Sequence, residues 1–281
     1  MKANMTPKVA GRDYGAVAGI AIAGAAMAGG FILERGSIGD LGSVTAGLLV
    51  LGGTIGAVVM GTPFPVLAGS VRRCRGLFRR ELDLRRETAE NIMRCAVLAR
   101  RGGLASIESE AEAVENGLLR RALLLAVDGV PPTEIRRQLQ IDITAEEDRA
   151  EADARVFEQA GGYAPTIGII GAVIGLIQVM RQLGNVDEVG RGIATAFTST
   201  LYGVALANLL LLPLAARIRS RARSAIGAKE LILEGVTALG EGLSLRLIRT
   251  RLETFLEPGD GVPKRSNAPA LAAQKALGKS A

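Results

Sequence analysis

Four apolar blocks with no Asp, Glu, Lys or Arg in their interiors constrain this chain more than any other feature. They run from about Tyr14 to Leu33, Val44 to Ala68, Ala164 to Met180 and Ile193 to Ala216. A helix needs about 20 apolar residues to cross a bilayer's hydrocarbon core. The first, second and fourth blocks meet that length, and the third is short. Gly161-Gly162 lies just before it, where a preceding helix can run straight in. The first block is followed at once by a second and lacks a cleavage site before a polar domain, so it reads as a membrane helix and not a removed leader.

Arginine gives the orientation. Arg72, Arg73, Arg75, Arg79 and Arg80 follow the second block, and Arg217, Arg219, Arg221 and Arg223 follow the fourth. Lys2, Lys8 and Arg12 precede the first. Basic residues beside a span mark its cytoplasmic side. The blocks therefore pair into two hairpins with all ends inside, joined outside by short links holding Glu34, Arg35 and Asp40 in one, and Arg181, Asp187, Glu188 and Arg191 in the other. The net charge of +6 follows from these clusters and a basic tail, so it gives no ground for nucleic acid binding.

The expected fold class is all-α: a polytopic membrane protein with four transmembrane helices and a helical cytoplasmic domain. Its parts are a cytoplasmic N-terminus (1–13), a transmembrane hairpin (14–68), a cytoplasmic helical domain (69–162), a second hairpin (163–216), a cytoplasmic helix (217–256) and a disordered tail (257–281) rich in Pro, Gly, Ala and Lys. In the cytoplasmic domain Ala89, Ile92, Ala96 and Ala99 form one helical stripe, which Gly102-Gly103 ends. A second helix is expected over about Ala105 to Val127. Pro131-Pro132 breaks it, and Thr133 is placed as N-cap of a third, whose inner face carries Ile135, Leu139 and Ile143. The acidic run Glu146 to Asp153 reads as a solvated helix face. A last helix is expected over about Lys229 to Leu256.

The chain has no histidine, which removes the commonest general acid/base and metal ligand. It has no GxSxG, Walker A or CxxC pattern. Covalent catalysis is therefore not expected, nor a cofactor. Cys74 and Cys95 are too few for a disulfide framework and read as reduced or buried thiols.

The spans instead carry small and hydroxylated residues. Gly15, Gly19 and Ala23, then Gly52, Gly53 and Gly56, then Gly168, Gly171 and Gly175 form stripes that let helix backbones approach closely. The fourth span holds Thr195, Thr198, Ser199 and Thr200. Such hydroxyls bond back to the preceding turn or line a polar path together with Thr166. Pro165 and Pro213 lie near the cytoplasmic ends of the third and fourth blocks. They fit helix entry and exit, or a hinge beside an ion exit. If the chain conducts ions, the titrating carboxylate has to come from a partner helix.

Several local runs then match one family. Leu49-Val50-Leu51-Gly52-Gly53-Thr54, Tyr163-Ala164-Pro165-Thr166-Ile167-Gly168 and Thr200-Leu201-Tyr202-Gly203, followed by Ala207-Asn208 and Leu212-Pro213-Leu214-Ala215, resemble the A subunit of the bacterial flagellar stator, related to the Tol and TonB energising proton channels. The resemblance covers roughly Tyr14 to Leu256. It implies a homo-oligomer of five A subunits around two copies of a B subunit, in the bacterial inner membrane. The B subunit is peptidoglycan-anchored, and its single membrane helix bears the essential aspartate. Ion flow past that aspartate is implied to turn the A ring, which pushes a rotor switch protein. The same resemblance places Pro165, Thr166, Ala172, Thr200 and Pro213 along the ion pathway. It also makes Arg100 and Glu108, with adjacent Arg101, rotor contacts. Sodium-driven members tend to carry threonine where Ala172 stands, so protons are implied. The alternatives are the energising subunit of a Tol/TonB-type system, against which the first hairpin argues, and a membrane scaffold without ion flux.

Overall fold

The computed structural model describes residues 14–33, 42–74 and 84–256. Among these residues all regular structure is helical. The basic N-terminal residues, the outer link of the first hairpin, Arg75, Arg79, Arg80 and the tail from Glu257 lie outside the described residues.

The chain divides into two compact units. The first contains Met1–Leu82 and Asp148–Arg221. Helix α1 (Tyr14–Leu33) has 20 residues, about 30 Å at 1.5 Å per residue, and agrees with the expected block. Helix α2 (Val44–Gly61) starts at Ser43, whose Oγ accepts from the Ala46 N–H at 3.2 Å. The second apolar block is not one helix to Ala68. Thr62 turns to an extended conformation and Pro63 follows, since a residue before proline is pushed out of the helical region. The chain restarts as α3 (Phe64–Cys74). This helix carries Arg72 and Arg73 in its last turn, where cations favour the helix dipole.

Helix α7 (Pro132–Arg181) is 50 residues long and continuous, so the third block is the end of a longer helix that runs through Gly161-Gly162. It starts one residue before Thr133, which is no cap. Pro132 takes the first position instead, where a missing N–H costs nothing. Helix α8 (Val186–Ala205) is capped by Asn185, whose Oδ1 accepts from the Asp187 N–H. A π-helical segment (Leu206–Leu211) joins it to α9 (Leu212–Gly240). Helix α9 has no break at Lys229, where a separate helix was expected to begin. Among the described residues three helical runs, Val44–Gly61, Pro132–Arg181 and Val186–Gly240, are long and apolar enough to cross a membrane, and Ala21–Gly30 of α1 is a shorter apolar stretch.

The second unit contains Asp83–Glu147 and Ala222–Ala281. Helix α4 (Arg85–Gly102) ends at Gly103, whose φ of 78° favours glycine. The expected single helix from Ala105 to Val127 is three pieces: a 3-10 turn (Leu104–Ile107), α5 (Glu108–Glu112) and α6 (Gly117–Val127). Asn116 causes the last break, because its side-chain oxygen accepts from the Leu118 and Leu119 N–H groups and caps α6. Gly242, with φ 69°, separates α9 from α10 (Leu245–Glu253).

Ile92, Ile107, Leu119, Leu123, Ile135, Leu139, Leu231 and Ile248 are fully buried in the core of this unit. The stripes read from Ala89, Ile92 and Ala96 and from Ile135, Leu139 and Ile143 are all part of it. Truncating Leu123 to alanine is expected to cost about 2–5 kcal/mol, read as a drop in the thermal midpoint of the purified chain. Cys95 is buried in the same core, and burial pushes its thiol up to about 11. Since only the thiolate is nucleophilic, Cys95 is expected to resist maleimide at pH 8 in the folded protein and to label fully in denaturant.

Candidate functional site

The site is built on the hairpin of α7 and α8, and glycine sets its geometry. An added Cβ at Gly203 would lie 2.5 Å from the Ala164 carbonyl oxygen and 3.2 Å from Gly168 Cα. One at Gly168 would lie 2.8 Å from the Ser199 carbonyl oxygen and 3.3 Å from Thr200 Cα. One at Gly175 would lie 2.9 Å from the Gly192 oxygen. The two backbones therefore touch along the hairpin, in the register Ala164 to Gly203, Gly168 to Ser199 and Gly175 to Gly192. Helix α2 joins the pair. Ile167 fills the space beside Gly53, and Tyr202 lies beside Gly47. Within one chain, Gly19, Gly24, Gly52 and Gly56 meet nothing within 4 Å.

This packing fixes where the candidate ion-path residues stand. Thr200 is half-buried beside Gly168. Ala172 is half-buried one residue after Gly171, which faces Ser199. Thr166 is exposed, Pro165 is half-buried inside α7, and Pro213 is exposed near the start of α9. The hydroxyls bond back along their own helices. Thr166 Oγ1 donates to Tyr163 O at 2.8 Å, and Thr198, Ser199 and Thr200 donate to the carbonyls four residues earlier. Of the two possibilities open in the sequence, this is the one present in a single chain. A hydroxyl so bonded keeps its oxygen lone pairs for a further donor or a cation.

One feature of the site gave no sequence signal. Over the π segment the Leu212 N–H reaches back five residues to Ala207 O. The wider turn lies directly before Pro213, whose ring nitrogen has no hydrogen to continue the α pattern. Asn208 sits within it, and its amide donates to Val204 O at 2.9 Å.

A second group of candidates lies in the other unit. Arg100 and Arg101 are exposed in the last turn of α4, and Glu108 is exposed at the start of α5. Ser106 stiffens the turn between them, with its hydroxyl 2.7 Å from Gly103 O and 3.1 Å from Leu98 O. Among the described residues none of the three charges has an ion-pair partner in the chain. Beside Arg100 is a cavity of about 390 Å³, lined by Ala96, Leu104, Leu239 and Leu243 among others.

The acidic run before the third span is a solvated face only in part: Glu147 and Asp148 are exposed, while its last carboxylates are paired. Asp153 is buried, and Arg73 holds its carboxylate through Nε and Nη2, each at 2.5 Å. Arg219 holds Glu151 at 2.9 Å and Glu158 at 2.6 Å, keeping both carboxyls below the usual range. The arginine clusters that follow the second and fourth apolar blocks thus supply partners for these acids.

Comparison with known proteins agrees with this architecture. Residues 108–230 match the model of the MotA/TolQ/ExbB proton channel family. Motility protein A of Bacillus subtilis is 34% identical over 249 residues, covering 88% of this chain and 92% of that protein. Chemotaxis protein PomA of Vibrio alginolyticus is 30% identical over 224 residues, covering 80% and 88%. The flagellar MotAB stator complex from Bacillus subtilis contains a chain that superposes with a TM-score of 0.80 at 32% identity, over 96% of this chain and 100% of that one. The C. jejuni MotAB structure gives a TM-score of 0.82 at 25% identity, over 90% and 99%. With a packed helical hairpin, polar groups on it and similarity over most of its length, this chain belongs to the MotA/TolQ/ExbB proton channel family, among the motility protein A members.

Proposed function

We propose that this chain is the A subunit of a bacterial flagellar stator, which with a B subunit forms an ion channel and converts the ion gradient into torque on the rotor. The observation that carries the reading is similarity to motility protein A over 88% of the chain and 92% of that protein. The family model alone is shared with Tol- and TonB-type channels, so the length of the match decides against that alternative.

The spans supply polar oxygens but no carboxylate, so the titrating aspartate belongs to the single membrane helix of the B subunit. Thr166 and Thr200 line the path it faces, and Pro165 and Pro213 mark the cytoplasmic ends of the two helices that move around it. Ala172 stands where sodium-driven stators tend to carry threonine, and on that resemblance we read the ion as the proton. Four spans cross the inner membrane with both termini in the cytoplasm, as the flanking arginines favour. Five copies form the ring, and Arg100, Arg101 and Glu108 meet the rotor switch protein.

Cells lacking this gene are expected to bear flagella and not to swim, with swimming restored by the gene. Normal swimming of such cells, with an envelope defect instead, would indicate the Tol-type reading. Speed in the complemented strain is expected to follow the proton gradient and to stay constant when external sodium is varied at fixed pH. Speed that tracks sodium would reject the ion assignment.

A further inference from the structure

Among the described residues Asp153 is the one charged side chain that is buried. It lies on α7, 12 residues before Pro165, about 18 Å along the helix axis. Ser70 Oγ is 2.6 Å from its Oδ1, and the Arg73 fork takes both carboxylate oxygens. Both partners belong to α3, the helix that follows the first hairpin. Apolar contacts continue the same seam, where Val156 and Ala160 of α7 pack with Val58, Val66 and Leu67. Thr62 and Gln159 are within hydrogen-bond reach at 3.5 Å. On α7, Glu151 and Glu158 are seven residues apart and share a face roughly opposite that of Asp153. Arg219 of α9 grips them there. At this level α7 is held from two sides, by α3 and by α9.

The pair is buried on the carboxylate side only, Arg73 being 53% exposed; burying that carboxylate is a poor device for stability alone, because apolar residues of similar volume dock helices as well or better. A two-pronged guanidinium–carboxylate contact differs in fixing both distance and orientation. We propose that Asp153, through Arg73 and Ser70, is a positioning residue that locks α3 to α7, so that displacement of α7 near Pro165 during ion flow is carried into the first hairpin instead of being lost as slip between helices. This role rests on the stator reading above.

The test uses the full chain with its B subunit, in cells lacking the chromosomal copy. Three quantities are measured: the amount in the membrane, the number of stators at the motor from a fluorescent tag, and the speed step as each stator joins a motor carrying a bead. Asp153→Asn and Arg73→Gln are expected to keep the wild-type membrane amount and to shrink the step at least threefold. Asp153→Glu, which keeps the charge and both carboxylate oxygens, is expected to recover at least half of it, whereas Arg73→Lys, which keeps the charge and loses the fork, is not. Wild-type steps in Asp153→Asn would overturn the proposal while leaving the stator reading intact. So would a fall in membrane amount shared by Asp153→Asn and Asp153→Glu, which would mean a role in folding alone. If the unaltered gene restores no swimming, the stator reading itself has failed.

Discussion

Gly203→Val is expected to abolish swimming, a loss of at least tenfold in speed, while Gly190→Val swims normally. The side chain at 203 would enter space occupied by the Ala164 carbonyl oxygen, 2.5 Å from its Cβ, and by Gly168 Cα. Both are backbone atoms of α7 and cannot rotate away. The hairpin has to open, and overpacking of this kind costs about 1–3 kcal/mol or more. More important for function, Thr200 then loses its place beside Gly168, so the proposed ion path loses its shape even where the protein still inserts. Gly190 is also helical but meets nothing within 4 Å, so it controls for the loss of glycine in α8. The measurement is swimming speed, with membrane amount determined in parallel. Normal swimming by Gly203→Val would mean that the close packing of α7 on α8 is dispensable for ion flow.

The second large effect is expected at the exposed surface carrying Arg100 and Glu108. Arg100→Glu and Glu108→Lys should each lower swimming speed by more than half without loss of membrane protein. Both side chains are exposed and, among the described residues, unpaired within the chain. Reversing such a charge changes folding stability by less than about 1 kcal/mol. The effect on a partner of complementary charge is larger, since each reversal turns an attraction into a repulsion. Ser106 holds the turn between the two, so neither change requires the surface to refold. The check is speed under load together with ion conductance of the assembled complex. Torque equal to wild type in both reversals would remove these residues from the rotor interface.

Much of the fold is written in local pattern. The apolar blocks, the end of α4 at Gly103 and the buried stripes on α4 and α7 follow from periodicity and glycine chemistry. The departures share one cause, competition among local signals of similar strength. Pro63 ends α2 inside an apolar block whose hydropathy continues. Asn116 caps α6 inside a run with good helix formers on both sides. Helix α9 passes Lys229 without a break because charge does not stop a helix, whereas Gly242 does. The candidate residues Pro165, Thr166, Ala172, Thr200 and Pro213 were named from motif resemblance. Asn208 and its π turn were not, because a five-residue hydrogen bond leaves no periodic trace over so short a segment.

The sequence by itself determined the solvent of each segment. Charge-free apolar runs suit a bilayer, flanking arginines favour its inner side, and spans without a carboxylate point to a proposed partner for one. These properties are sums over residues, independent of which residue meets which. Tertiary structure alone decided the pairings. Gly203 faces Ala164, Arg219 grips Glu151 and Glu158, and Asp153 is buried under Arg73 instead of lying in water. Asp153 and Arg73 are 80 residues apart, and Arg73 has several arginine neighbours of equal charge. Only the packing of α3 on α7 selects which guanidinium reaches the carboxylate, because that choice depends on distances of a few ångströms that no local pattern encodes.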